Sequence, residues 1–201
     1  DDEVYNISAL KENSILGENI NSITSNNGMF YLCTNSSLIE IDASDVVVRE
    51  TYRQAQSINS IVFLDGDIFI ARRDGLYKLK DLTQIRDFKT WQKISDMELK
   101  QMQAFAGQLY ALFGSHLTYI IPTEEGANVV EKSYNFKRIS VSPDGLVCMD
   151  SGSWLAYFTK DRPSNPKLIQ QKYSWSDIWA SKDCFYVCDE LSGLLKYYFD
   201  A

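Results

Sequence analysis

Apolar and polar residues alternate along most of this chain. Gly28-Met-Phe-Tyr-Leu-Cys33, Asp67-Ile-Phe-Ile-Ala71 and Gly107-Gln-Leu-Tyr-Ala-Leu112 each place every second side chain on one face. That is the period of a β-strand. Helical periodicity surfaces only mildly, at Asp96–Met102, and the repeat described next overrides it. Short turn segments join the first strands of each pair: Asn26-Asn27-Gly28, Asp65-Gly66-Asp67 and Pro143-Asp144-Gly145. Asn, Asp and Gly tolerate the left-handed backbone of a tight hairpin, so these residues are read as turn chemistry rather than catalysis.

The alternating segments recur. Ile-Asn-Ser-Ile stands at 20–23 and again at 58–61, with Gly28 matching Gly66, Phe30 matching Ile68, Leu38 matching Leu76 and Ile41 matching Leu79. A third copy carries Met102, Gly107, Leu109, Ala111, Leu117 and Ile120 in these slots. The fourth has Phe136, Ile139, Leu146, Cys148 and Trp154, and the fifth Trp175, Ile178, Phe185, Val187 and Leu194. The copies start near 18, 56, 97, 135 and 174. A fourth strand is predicted in most of them, at Val46–Tyr52, Phe88–Lys93, Asn128–Tyr134 and Lys167–Tyr173. The fifth copy has no room for one, while Glu3-Val-Tyr-Asn-Ile7 belongs to no copy. Four antiparallel strands in about 40 residues make the blade of a β-propeller. The expected fold is therefore all-β: one propeller domain over residues 1–201, with five four-stranded blades and the N-terminal strand closing the last. Such closure would remove exposed sheet edges. The alternative is a partial propeller from a larger six- to eight-bladed protein.

Asn19-Ile-Asn-Ser-Ile23 followed by Gly28-Met-Phe-Tyr-Leu-Cys-Thr-Asn-Ser-Ser-Leu38 resembles the blades of two-component-regulator propellers of bacterial cell-envelope sensors. Asp67-Ile-Phe-Ile-Ala-Arg-Arg-Asp-Gly-Leu-Tyr77 is similar and keeps the Gly-Leu-Tyr ending. The second-strand Trp of that pattern is missing from every copy, and Cys33 stands where it has Gly. The resemblance implies a recognition or sensing module outside the cytoplasm and no particular ligand.

Composition narrows the chemistry. A net charge of −7 argues against a nucleic-acid surface, and no apolar run of about 18 residues is present to span a membrane. No Gly-rich phosphate loop occurs, so no cofactor is expected. Cys33, Cys148, Cys184 and Cys188 form no CxxC and stand near no histidine, which excludes a zinc motif. Cys184 and Cys188 are four apart on one strand, about 13 Å between Cα atoms and too far for a disulfide. All four are read as buried thiols. Asp1 rather than Met opens the sequence, as in a processed or trimmed chain, and Asn6-Ile7-Ser8 and Asn35-Ser36-Ser37 fit a glycosylation tripeptide common by chance.

On a propeller, the turns between second and third strands and the links between blades share one face. That face would gather Asn35, Arg72, Arg73, Asp74, His116, Asp150, Trp154, Asp189 and Glu190. Rigid scaffolds carry binding residues on such loops. Arg72 and Arg73 are expected to project into solvent. Trp154 and Trp175 occupy repeat slots that are core, whereas Trp179 lies one residue past such a slot and is the exposed aromatic candidate. His116 is the only histidine, and no carboxylate spacing suggests a metal site around it. No catalytic or metal-binding residue is assigned. Asp150, Asp189 and Glu190 could in principle supply the paired carboxylates of a glycoside hydrolase, but 40-residue blades leave little loop for its pocket. The reading is a non-catalytic recognition module that binds a protein partner. A saccharide-binding propeller is the alternative and a glycosidase the third choice.

Overall fold

Tight hairpins open the repeat copies. The computed structural model describes residues 19–114, 116–123, 127–150, 154–170 and 175–199. In it Asn27–Gly28, Asp65–Gly66 and Ala106–Gly107 all take positive φ, from 48° to 80°. Two successive left-handed residues make the hairpin turn whose twist matches the strands it joins. Asn and Asp accept that backbone readily; Ala106 adopts it at a cost of about 1–2 kcal/mol.

Among the described residues the chain forms four four-stranded sheets and one three-stranded sheet, each with strands in sequence order and antiparallel. Sheet 1 holds β1 (Ile20–Asn26), β2 (Met29–Thr34), β3 (Ser37–Asp42) and β4 (Val47–Arg53). Sheet 2 holds β5 (Ile58–Leu64), β6 (Asp67–Arg72), β7 (Gly75–Leu79) and β8 (Gln92–Ser95). Sheet 3 holds β9 (Leu99–Phe105), β10 (Gln108–Phe113), β11 (His116–Pro122) and β12 (Ala127–Asn135). Sheet 4 holds β13 (Arg138–Val141), β14 (Gly145–Met149), β15 (Trp154–Thr159) and β16 (Arg162–Gln170). Sheet 5 holds β17 (Trp175–Ala180), β18 (Cys184–Asp189) and β19 (Gly193–Tyr198). The predicted strand Glu3–Ile7, Asn6, Ser115 and Tyr173 lie outside the described residues.

Two strand predictions need correction. Phe88–Lys93 is a strand only in its last residues. Leu82–Arg86 and Phe88–Thr90 are 3₁₀ turns, the first started by a capping box between Asp81 and Gln84 and the second capped by Asp87. The fourth strand of sheet 4 begins at Arg162 rather than Lys167, because a tight turn pairs Thr159 with Arg162 and the buried Tyr110 hydroxyl bonds the Pro163 carbonyl.

The chain divides into two compact units, Asp1–Leu99 and Lys100–Ala201, described separately. In the first, Tyr31, Cys33 and Leu38 of sheet 1 pack against Ile61, Ile70, Tyr77 and Leu79 of sheet 2. The repeated Asn makes the same kind of bond twice: Asn21 Nδ2 donates to the Ile58 carbonyl at 2.8 Å, and Asn59 Nδ2 to the Leu99 carbonyl at 2.9 Å. In the second unit, Tyr110, Leu112 and Leu117 of sheet 3 meet Ile139, Leu146 and Ala156 of sheet 4. Val147, Met149 and Leu155 on the other side of sheet 4 meet Ile178, Phe185 and Val187 of sheet 5. Each pairing buries apolar faces of successive repeat copies, which is why the hydrophobic slots recur.

Candidate functional site

Antiparallel order puts the turns between second and third strands at the same end as the links between sheets. In the first unit this end opens into a cavity of about 900 Å³. Asn35 comes from the β2–β3 turn, Ala55, Gln56 and Ser57 from the β4–β5 link, Arg73 and Asp74 from the β6–β7 turn, and Glu98 from the residues before β9, with Asn59 on β5.

Backbone and side-chain bonds hold these loops in place. Thr34 Oγ1 accepts from the Ser37 N–H at 2.9 Å and shapes the β2–β3 turn. The Gln54 N–H donates to the Ser36 carbonyl at 2.6 Å, and the Arg73 N–H to that of Ser57 at 3.3 Å. Along the floor, Asn21 Nδ2 donates to Ser57 Oγ at 3.0 Å, and Ser57 Oγ to Asn59 Oδ1 at 3.3 Å. Asn35, Arg73 and Glu98 are exposed at the rim. The trough therefore offers one cation, two carboxylates and several amides on a pinned frame.

Arg72 lies beneath the rim and does not project into solvent as expected; it is 4% exposed. Its guanidinium carbon sits 4.1 Å from the centre of the Phe88 ring, 5.3 Å from Tyr77 and 5.5 Å from Trp91. Its Nε lies 3.1 Å from Asp74 Oδ1, and the Tyr77 hydroxyl donates to Asp74 Oδ2 at 2.9 Å. Burial, and then donation to Asp74, raises the Tyr77 phenol above its ordinary range. The Trp91 indole N–H, bonded to the Gln84 carbonyl at 2.8 Å, fixes the far wall. Three rings and a carboxylate thus surround a buried cation. Arg72 positions the turn that carries Arg73 and Asp74.

Three of the ten candidates, Asn35, Arg73 and Asp74, meet in this trough. The second unit carries His116, Asp150, Trp154, Asp189 and Glu190 at or beside its own second-to-third strand turns. His116 is exposed and pairs across the turn with Phe113. Asp150 Oδ1 accepts from the Trp154 N–H at 3.0 Å and closes the β14–β15 connection. Asp189 is buried and accepts from the N–H groups of Ser192 at 2.6 Å and Leu191 at 3.0 Å. Those bonds, Ser192 first, hold its carboxyl below the usual carboxylate range. It serves the β18–β19 turn beside exposed Glu190. Trp154 is 40% exposed rather than core, because Leu155, fully buried, holds the slot of Leu38 and Leu117. Trp175 is buried and Trp179 exposed, as expected, but Trp179 lies toward the other end of β17, on the outer face of sheet 5. Cys33, Cys148 and Cys184 are buried while Cys188 is exposed on that same face. Among the described residues no three His, Cys, Asp or Glu side chains form a group able to hold a metal ion. No helix among them is long and apolar enough to cross a membrane. Gln56, Ser57, Asn59 and Glu98 were not singled out from sequence; the repeated Asn was the one available signal.

Residues 1–92 match the family model described as TSS9, PorZ, N-terminal beta-propeller domain. Among solved structures the chain is similar to PorZ, an essential bacterial surface component of the type-IX secretion system of Porphyromonas gingivalis. The identity is 17% and the TM-score 0.76, over 98% of this chain and 27% of that one. It is also similar to Kluyveromyces lactis Hsv2p (13% identity, TM-score 0.58, 88% of this chain and 61% of that one). A third similarity is to a chain of a nidogen/laminin complex (13%, 0.61, 86% and 72%). No curated protein matches the sequence. At these identities the structural likeness is one of fold. The fold is that of the β-propeller superfamily. The two-component-regulator likeness of the blade motif is not carried by these matches.

Proposed function

We propose that this chain is a non-catalytic recognition module that binds a protein partner through the polar trough of residues 35–98. The observation that carries the reading is the trough itself. It is a wide, open depression whose rim bears Arg73, Asp74 and Glu98 and whose loops are fastened by backbone bonds to two packed sheets. Such a surface suits a polar segment of a partner, with Arg73 taking a carboxylate and Glu98 a cation. Pre-ordered loops reduce the entropy lost on binding. PorZ is described as a bacterial surface component of a secretion system, which supports a place for this chain in an assembly of the cell envelope.

The test is affinity capture from envelope extracts of the producing organism, comparing wild type with Arg73→Glu and Glu98→Lys. Each reversal should weaken capture of the same protein about tenfold, some 1.4 kcal/mol, with unchanged circular dichroism. Capture unaffected by either reversal would overturn the reading. Saccharide binding on a glycan array, lost in the same variants, would replace it with the carbohydrate alternative.

A further inference from the structure

The trough carries four side chains whose bonding capacity the fold leaves unused. Asn35, Gln56, Arg73 and Glu98 come one each from the β2–β3 turn, the β4–β5 link, the β6–β7 turn and the residues before β9. Among the described residues none of these four side chains makes a hydrogen bond or an ion pair. Their neighbours are engaged. Ser57 and Asn59 bond along the floor, and Asp74 is held by Arg72 and Tyr77.

The unused groups define what they can take. With Asp74 answered by Arg72, the cation of Arg73 and the carboxylate of Glu98 are left, so the trough is dipolar. A neutral glycan gives neither charge a partner, and an anionic one meets Arg73 but is repelled by Glu98. The amides of Asn35 and Gln56 each present both donors and an acceptor. That is the complement of a peptide group, which carries one N–H and one C=O. In a folded protein most such groups are already paired within its own secondary structure, whereas an extended segment offers them free. A concave space of about 900 Å³ is filled by a chain segment, while a convex folded surface bridges its mouth.

Taking the trough as the partner site, on which this inference rests, we infer that it receives an extended peptide segment of the partner. The segment bears an acidic side chain for Arg73 and a basic one for Glu98, and Asn35 and Gln56 read the backbone between them. The two charges set the direction of the chain, because exposed ion pairs contribute orientation more than affinity. Bonds to the backbone supply the affinity. The loops are already pinned by the bonds from the Gln54 N–H to the Ser36 carbonyl and from the Arg73 N–H to the Ser57 carbonyl. The entropy of ordering therefore falls on the incoming segment.

The test uses blocked decapeptides of Gly and Ser that carry one Asp and one Lys, in either order, read by fluorescence anisotropy with the 201-residue chain. Placing the charges about two to eight residues apart spans about 7–26 Å of extended chain. One order at one separation should bind at least about tenfold more tightly than its reverse and than peptides with a single charge. Arg73→Glu combined with Glu98→Lys should invert the preferred order. Asn35→Ala and Gln56→Ala should each weaken the preferred peptide about fivefold, with unchanged circular dichroism. N-methylation of the peptide groups between the charges should do the same to the wild type. Binding indifferent to order or to the amides, or an order preference that the double reversal leaves in place, would overturn the inference. If the peptides fail while capture from envelope extracts still responds to Arg73→Glu, the partner presents a folded surface and only this inference falls. If both fail, the partner reading falls with it.

Discussion

Replacing Arg72, which is only 4% exposed, with Met should destabilise the first unit by about 3 kcal/mol. The closest ring, Phe88 at 4.1 Å, forms a desolvated cation–π contact, for which about 1–2 kcal/mol is reasonable. Tyr77 and Trp91, at 5.3 and 5.5 Å, lie near the limit of the interaction and together add about 1 kcal/mol. Asp74 loses its 3.1 Å partner, but its side chain is 31% exposed. Solvent therefore limits that penalty to about 1 kcal/mol, against several for a fully buried charge. Methionine keeps the apolar stem and returns part of the loss, so the sum settles near 3 kcal/mol. In a chain of this size that lowers the thermal midpoint by about 6–12 °C. Urea unfolding followed by tryptophan fluorescence suits the measurement because Trp91 is a wall of the cage. Asp74→Asn in both backgrounds should show about 1 kcal/mol of coupling. A change below about 0.5 kcal/mol for Arg72→Met would refute the cage as a support of the trough.

Three further outcomes follow from the packing. Leu155→Ala should cost about 2–5 kcal/mol in urea unfolding of the 201-residue chain, whereas Leu194→Ala in the equivalent but exposed position should cost less than about 0.5. Gly145→Ala should destabilise by about 1–3 kcal/mol or more, since a Cβ there would stand 2.2 Å from the Phe199 ring; Gly145→Ala with Phe199→Leu should recover much of the loss. Bonds from the Ser44 hydroxyl and N–H, with Arg49 beyond them, hold the Asp42 carboxyl at about 2. A depressed carboxylate stabilises the fold above its unfolded value of about 3.9 and ceases to do so as pH falls through its folded value. An NMR titration should therefore find Asp42 half-protonated near pH 2, and Asp42→Asn should flatten acid destabilisation between about pH 4 and 2.

The sheets were legible because apolar alternation and turn residues act locally. Ile61, Ile70 and Leu38 fall in core slots that spacing alone identifies, and Asn27-Gly28 and Asp65-Gly66 declare their hairpins. The slot of Trp154 was misread by one residue. In the fourth copy the connection before β15 has a different length, so the neighbouring Leu155 takes the inward position. Arg72 was misjudged because charge predicts solvent only when no alternative shell exists. Its shell comes from Phe88 and Trp91, brought back by two 3₁₀ turns in a stretch that alternation marked as strand. Cys188 was read as buried from its strand pattern, but its face of sheet 5 has no described neighbour. Asn35, Arg73 and Asp74 were found from topology, because the β2–β3 and β6–β7 turns must share an end. Gln56 and Glu98 were not, since their convergence depends on how two sheets pack and not on spacing along the chain.

Site-specific photo-cross-linking in the producing organism tests the trough most directly. A photoreactive residue at Gln56, inside the cavity, is predicted to yield an adduct with a protein, and Arg73→Glu in the same chain should abolish it. The same residue at Asn27, in the β1–β2 turn at the opposite end of sheet 1, should yield none. An adduct from Asn27 with nothing from Gln56, or a Gln56 adduct indifferent to Arg73→Glu, would contradict a partner seated on the loops of residues 35–98.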